Sequence, residues 1–419
     1  MLHPWDERYH ALVAKNMMTD PFAPKLYSEA ILDYDFKNWT ANKIWLHKQP
    51  FPLWTMAWSM KMFGVGTFTL RLPSILLSTM SIFLTFWIGR FLSNSERVGL
   101  IAAFLLSING LVIELASGRV STDHIDTFFM FLITFSLFFI LLNVKNAKKR
   151  WLLLAGGTCG LAILTKWLPG LIVFPLYLMI NFKAKKNSKL VSEMLLMGMV
   201  TLLVALPWQI YASSTFPFTY QWEQEYNTLH LTESLEGHGQ PWWYFVDRIR
   251  ITINELIYLI FGWFVYQMIK EKTFRRSHLF LMAWVVIPFV IFSLAATKMQ
   301  GYLLFTFPAW FIITGMFVEH LLTVSSSSEV AKKIYWLVIG ATFILAIRYG
   351  LERVKPFADQ TEERLLKKQL TKTRHPTNTV IFNEAHPIEW MFYNDGVAYP
   401  GRPEDSVVDS LRGEGWIVH

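Results

Sequence analysis

The chain has 419 residues, 53% of them hydrophobic, 16% aromatic and only 17% charged, with a formal net charge of +8 and one cysteine. That balance, with apolar runs long enough to cross a bilayer, excludes an ordinary soluble domain and indicates an all-α polytopic membrane protein. The positive charge lies mostly between apolar runs, and no basic stripe interleaved with aromatics is present, so no nucleic-acid partner is expected.

The sequence opens on a polar, aromatic stretch, His3-Pro-Trp-Asp-Glu-Arg-Tyr-His10, whose adjacent carboxylates Asp6 and Glu7 precede a helix-like run from Ala11 to Met18. His47-Lys-Gln-Pro-Phe-Pro-Leu-Trp54 follows, and the first long apolar segment begins at Leu70. Apolar runs near 70–91, 98–116, 125–144, 151–165, 168–182, 190–211, 250–269, 278–296, 301–321 and 334–349 predict about ten visible transmembrane helices. Cys159 falls inside one of them, which excludes disulfides and indicates a buried, inert thiol. The fourth and fifth runs are short and separated only by Lys166 and Trp167, so they could form one broken helix.

Charge decides that point. With residues 1–69 outside, the inner connections hold Arg90 and Arg97, the basic residues of 145–150, 183–189 and 270–276, and Lys332 with Lys333; the opposite short connections hold only Arg119, Lys166 and Lys298. A bias of that strength requires the Lys166 break to be a crossing. The chain then divides into a first outer loop (1–69), a transmembrane domain (70–349) with an outer loop at 212–249, and a small extracytoplasmic C-terminal domain (350–419). In that last part Thr379–Phe382 and Gly413–Val418 look like strands and 362–370 and 406–411 look helical, a small α/β-type segment too short for a large core of its own. An outer N-terminal loop needs a signal to cross the membrane and none precedes Asp6, so a first helix is expected to be missing from the sequence.

Ionisable residues close to the membrane are costly to place, which makes each a functional-site hypothesis. Asp6, Glu7, Lys48, Arg71, Arg119, Asp123, Asp126, Lys166 and Lys298 all fall in the first outer loop or near the outer end of a span. Snorkelling would explain some of the cations, Arg71 could anchor its helix to headgroups, and Asp6 could cap the helix after it. Loop 212–249 adds Trp222-Glu-Gln-Glu-Tyr226, His230 and His238, suited to an acceptor or sugar pocket, while Trp242, Trp243 and Tyr244 fit an interfacial aromatic belt.

Five pieces stand in a particular order: Trp5-Asp6-Glu7-Arg8-Tyr9 with Met17 downstream; His47-Lys48-Gln49-Pro50; Phe63-Gly64 before Leu70-Arg71-Leu72-Pro73-Ser74; Gly160-Leu-Ala-Ile-Leu-Thr-Lys166; and Lys298-Met-Gln-Gly-Tyr302 with Pro308. This set, over roughly residues 1–320, resembles the lipid-linked-sugar glycosyltransferases of the GT-C fold, the group that contains the protein O-mannosyltransferases and the lipid A aminoarabinose transferases. The resemblance implies an integral membrane enzyme that moves a sugar from a polyprenyl-phosphate donor to an envelope lipid, glycan or protein. The active site would lie on the extracytoplasmic face of a bacterial inner membrane, and transfer would be one inverting displacement. Asp6 would be the catalytic base, and Glu7 would orient the acceptor or bind a metal.

The family's second acid falls on Asp123 or Asp126; Asp123 is favoured as catalytic, leaving Asp126 for the acceptor or sugar pocket with His230 and His238. A departing phosphate calls for cations, and Lys48, Lys166 and Lys298 fit, with Tyr302 and Arg119 as further candidates. No cofactor is required. A divalent metal at Glu7 and His47 is the exception, since His47 stands where the aminoarabinose transferases carry an acid. The alternative is a transporter or flippase of lipid-linked sugars, but the charges gather at one face and no inverted repeat is evident.

Overall fold

The computed structural model describes residues 2–3, 5–120, 125–270, 275–324, 328–355, 361–372 and 375–419. Helix α1 (Asp6–Asn16) carries its two acids in the first turn, where the helix dipole favours negative charge. An irregular stretch, pinned by a bridge between Lys25 and Ile44, leads to α2 (Pro50–Phe63), whose N-terminal proline sits where no amide donor is needed. The bundle follows as α3 (Thr67–Ser93), α4 (Glu96–Ser107), α5 (Gly110–Ala116), α6 (Ile125–Asn146) and α7 (Lys149–Lys166). A 3-10 turn at Leu168–Ile172 runs into α8 (Val173–Asn181), followed by α9 (Asn187–Thr215), α10 (Pro217–Thr232), α11 (Tyr244–Thr252), α12 (Ile257–Lys270) and α13 (Arg276–Leu294). A second 3-10 turn, Gln300–Thr306, leads into α14 (Phe307–Thr323), and α15 (Glu329–Val354) closes the bundle.

All ten apolar runs are helical. Among the described residues six stretches are long and apolar enough to cross a membrane, and eight if α4 with α5 and α11 with α12 each count as one bent span. The bends, 54° and 107°, have local causes at the first of these breaks: Asn109 restarts the helix by accepting the Val112 N–H at 3.1 Å and ties the break to α11 by donating to the Thr252 carbonyl at 2.6 Å.

The Lys166 break is a reversal. Trp167 adopts φ +64°, which no α-helix tolerates, and the chain folds back so that Gly170 lies against Ile163 and its carbonyl accepts from the Cys159 thiol at 3.4 Å. Helix α8 then returns along α6 to the other end of the bundle, where Lys185 donates to Asn143 at 3.1 Å and Glu193 at 2.6 Å. Gly156 and Gly160, one turn apart on α7, give α9 its seat, and Thr201 donates to the Gly156 carbonyl across that interface at 3.1 Å. Helix α6 and the Gln300–Thr323 stretch that includes α14 form the centre of the bundle: 83% and 89% of their apolar windows are buried, against 22% for α9 and 17% for α15, which present apolar side chains outward.

The C-terminal segment contains α16 (Thr361–Leu370), β1 (Thr379–Ile381), α17 (Pro387–Tyr393), β2 (Val397–Ala398), α18 (Asp405–Gly413) and β3 (Ile417–Val418). Its strands form a parallel sheet in the order β2-β1-β3, with Val380 opposite Val397 and Thr379 opposite Ile417; α17 and α18 provide the crossovers that parallel pairing requires. The segment shares a core with the first loop. Leu12 and Val13 of α1 and Met56 of α2 pack with Ile388 and Phe392 of α17, and Ile125 and Phe128 at the start of α6 belong to the same cluster. This body therefore caps the end of the bundle where α6 begins.

Candidate functional site

Asp6 and Glu7 are 6% and 4% exposed, and two buried carboxylates need partners to stay charged. Glu7 has a guanidinium fork: Arg71 donates from Nε to Oε1 at 2.6 Å and from Nη2 to Oε2 at 2.7 Å, and the His3 amide donates to Oε2 at 2.6 Å. The chain passes so close that Gly118, at φ +62°, has no room for a side chain, because the Glu7 carboxylate and the Arg71 guanidinium fill that space. Arg71 is thus the partner of a site acid and not merely a headgroup anchor. Asp6 is the first residue of α1, after Trp5 at the N-cap position.

A second group forms where α6, α7 and the turn before α14 meet. Asp126, in the first turn of α6 and 4% exposed, pairs with Lys166, the last residue of α7. The Lys166 ammonium lies 4.7 Å over the ring of Tyr302. A methyl at Gly301 would overlap the Asp126 carboxylate, so that glycine is a requirement of close approach. Of the two competing acids, Asp123 lies outside the described residues.

The third group joins the first loop to α10. Trp39 stacks on His47 with centroids 4.6 Å and planes 5° apart, and His47 Nδ1 stands 3.2 Å from Glu223 Oε2. The ring of Tyr226 lies 5.7 Å from that of His47 and 5.2 Å from that of His230. Burial lowers the His230 imidazole below its ordinary range, the Tyr226 carbonyl opposes this, and the charge of Lys48 lowers it further, which puts Lys48 within electrostatic reach of His230. Glu7 is engaged by Arg71 and His47 by Glu223, and among the described residues no three His, Cys, Asp or Glu side chains are grouped to hold a metal.

Other candidates lie elsewhere. Arg119 donates to the Lys355 carbonyl at the end of α15. Lys298, 4% exposed and lowered from the usual lysine range by burial, donates to the carbonyls of Gln240, at 2.9 Å, and Ala295. Its amide donates to the His238 carbonyl at 3.0 Å, so Lys298 and His238 stitch the α10–α11 loop to the bundle.

The sequence offers His386, Glu389 and Tyr393 of the cap as residues near the acceptor, and two of them lie beside the first group. Arg8 meets Glu389 at 3.3 Å, and burial pushes the Tyr393 phenol up to about 12, with Arg71 pulling it down and Glu7 pushing it up. Trp39 had no signal in the sequence, and Glu223 stood out only as part of the Trp222–Tyr226 stretch. Arg71 had one, its place in Leu70-Arg-Leu-Pro, but no feature of the sequence linked it to Glu7.

The chain has the GT-C fold, and a buried acid pair, Asp6 and Glu7, lies at one end of its bundle. Residues 47–211 match the dolichyl-phosphate-mannose-protein mannosyltransferase family. The chain is 24% identical over 324 residues to undecaprenyl phosphate-alpha-4-amino-4-deoxy-L-arabinose arabinosyl transferase 1 of Pseudomonas fluorescens, a match covering 75% of this chain and 57% of that one. It therefore spans a little over half the length of that curated relative. Among solved structures it is similar to ArnT from Cupriavidus metallidurans bound to undecaprenyl phosphate, with TM-score 0.64, 16% identity, and coverage of 100% of this chain and 85% of the other. It is also similar to the Archaeoglobus fulgidus oligosaccharyltransferase, with TM-score 0.55, 15% identity, and coverage of 98% and 64%.

Proposed function

We propose that the protein is an integral-membrane glycosyltransferase that moves a sugar from a polyprenyl-phosphate donor to an envelope lipid, glycan or protein acceptor, by one inverting displacement. The observation that carries this reading is the meeting of buried acids and cations at one end of the bundle: Asp6 beside the Glu7–Arg71 pair, in a body that packs on the start of α6 where Asp126 pairs with Lys166. Asp6 takes the proton of the acceptor hydroxyl as that oxygen attacks the sugar, a role worth about 10²–10⁴-fold. Lys166, with Tyr302 beside it, and Lys48 stabilise the phosphate that leaves. Glu7 holds Arg71 in place, and Asp126, His230 and Tyr226 line the sugar or acceptor side. The transfer drawn in this way uses no cofactor, and full activity after chelation is its test.

The site faces the extracytoplasmic side of a bacterial inner membrane in this reading. Support comes from the basic residues at the opposite end, where Lys185 joins the end of α6 to the start of α9 and Lys148 to Arg150 lead into α7. The deciding experiment is transfer of radiolabelled sugar from an undecaprenyl-phosphate donor pool in membranes. Label should reach a lipid, glycan or protein fraction with the wild type and not with Asp6→Asn; equal transfer by both would remove Asp6 as the base.

A further inference from the structure

The first loop and the cap form a cavity of about 500 Å³ that takes no part in the transfer drawn above. One wall is the irregular stretch 25–43; the other is a single face of α18, where Val407, Ser410, Leu411 and Glu414 recur at helical spacing, with Trp416 beyond it. The cavity is preformed. The Leu26 amide donates to the Lys43 carbonyl at 2.9 Å, the Tyr399 hydroxyl accepts from the Ile31 and Leu32 amides at 3.2 and 3.4 Å, and Val408 and Leu411 pack α18 against Val380 and Phe382.

Its chemistry divides between floor and rim. Ile31, Leu411 and Trp416 give an apolar floor, while the rim carries the cations Lys25 and Lys43, the acids Glu29 and Glu414, and the Ser410 hydroxyl. Ser410 donates to Glu414 at 3.2 Å and Lys25 pairs with Asp20 at 3.5 Å, whereas among the described residues Lys43 Nζ and the Glu29 carboxylate have no ion pair or hydrogen bond. Opposite charges in equal number favour neither an anion nor a cation, and a lipid tail would leave the ammonium and carboxylate groups unanswered. A sugar suits each part: its C–H face lies on the indole, and its hydroxyls, each both donor and acceptor, serve lysine and glutamate together. The volume falls in the range of ligand clefts, about 300–1,000 Å³, and admits a disaccharide. Asn16, the last residue of α1, donates to the Lys25 and Leu26 carbonyls at 2.9 and 3.1 Å, so the length of α1, about 15 Å, separates this wall from Asp6. A ligand that reaches both is a chain of sugars.

We propose that the cavity is a saccharide site, which holds a distal sugar unit of the acceptor while the reacting hydroxyl lies at Asp6. The acceptor is then a glycan chain. The inference rests on the transferase reading above and narrows its acceptor class.

The test has two arms. In the first, binding of maltose, lactose, mannobiose and chitobiose to the full chain is measured by saturation-transfer NMR, in a zwitterionic detergent that carries no sugar. At least one should bind the wild type, and Lys43→Ala and Glu29→Ala should each weaken it about tenfold, the loss of one hydrogen bond to a charged group. Both variants should keep the melting temperature, since neither charged group is paired among the described residues. In the second arm the disaccharide that binds is added to the radiolabel assay, where it should slow transfer by the wild type and spare the residual transfer by Lys43→Ala. If none of the four binds, or both variants bind like the wild type, the site is overturned and the transferase reading stands. Binding without any effect on transfer would overturn the acceptor role. A wild type that transfers no label would refute the transferase reading, and the acceptor role with it, whatever the first arm shows.

Discussion

Replacing Arg71 by methionine keeps an unbranched apolar stem and removes the guanidinium, which leaves the 4% exposed Glu7 carboxylate without its fork while the His3 amide still donates to it. Breaking a buried pair from one side costs about 3–5 kcal/mol, because the surviving charge is stranded. The low end applies here, about 3 kcal/mol, since the Arg71 side chain is 20% exposed and the His3 donor survives. Unfolding entropy of about 2.1 cal/mol/K per residue makes that a fall of about 3–4 °C in apparent melting temperature for a chain of this size. Glu7→Gln removes the stranded charge, so the double variant Glu7→Gln/Arg71→Met should melt higher than Arg71→Met alone. Differential scanning fluorimetry in detergent on the four proteins closes the cycle. Additive losses, or an Arg71→Met protein that melts with the wild type, would show that the fork is not what holds Glu7.

Gly118→Ala should cost about 2 kcal/mol or more, because it adds a methyl where Glu7 and Arg71 lie and at a left-handed φ; melting temperature should fall and transfer activity with it. Gly301→Ala should spare the cap but push Asp126 off Lys166, lowering activity at least tenfold with little change in melting temperature. His230 has a folded pKa below its usual 6.5, so the unfolded chain binds the proton first as pH falls. Stability is therefore full above about pH 6.5 and declines below it, by at most about 1.4 kcal/mol per pH unit, and His230→Gln should flatten that decline in melting curves taken from pH 7.5 to 5.

The membrane part was legible because burial in lipid writes long apolar runs into the sequence, and even the hairpin at Lys166 could be inferred from where the cations fall. The bend at Asn109 could not, since that side chain ties the break to a carbonyl in another helix, and the sequence carried no signal for the 107° bend between α11 and α12. The site shows the same division. Asp6, Glu7, Asp126, Lys166 and Tyr302 lie in short ordered motifs, but who pairs with whom is tertiary: Arg71 finds Glu7 across 64 positions and His47 finds Glu223 across 176. Lys298 and Arg119 are cations at the same membrane end as Lys166, and only the fold shows that they donate to backbone carbonyls.

The shared core of α1 and α17 has a consequence for how the protein is made. Arg8 and Glu389 are 381 positions apart, with the whole membrane bundle between them, so the acid-bearing helix lacks its α17 partner until nearly all of the chain has been synthesised and α17 delivered to the same side of the membrane. Truncation before α17, or a single misinserted span, would leave α1 unfinished. Assembly thus proofreads topology: only a chain threaded correctly at every crossing can complete the helix that begins at Asp6.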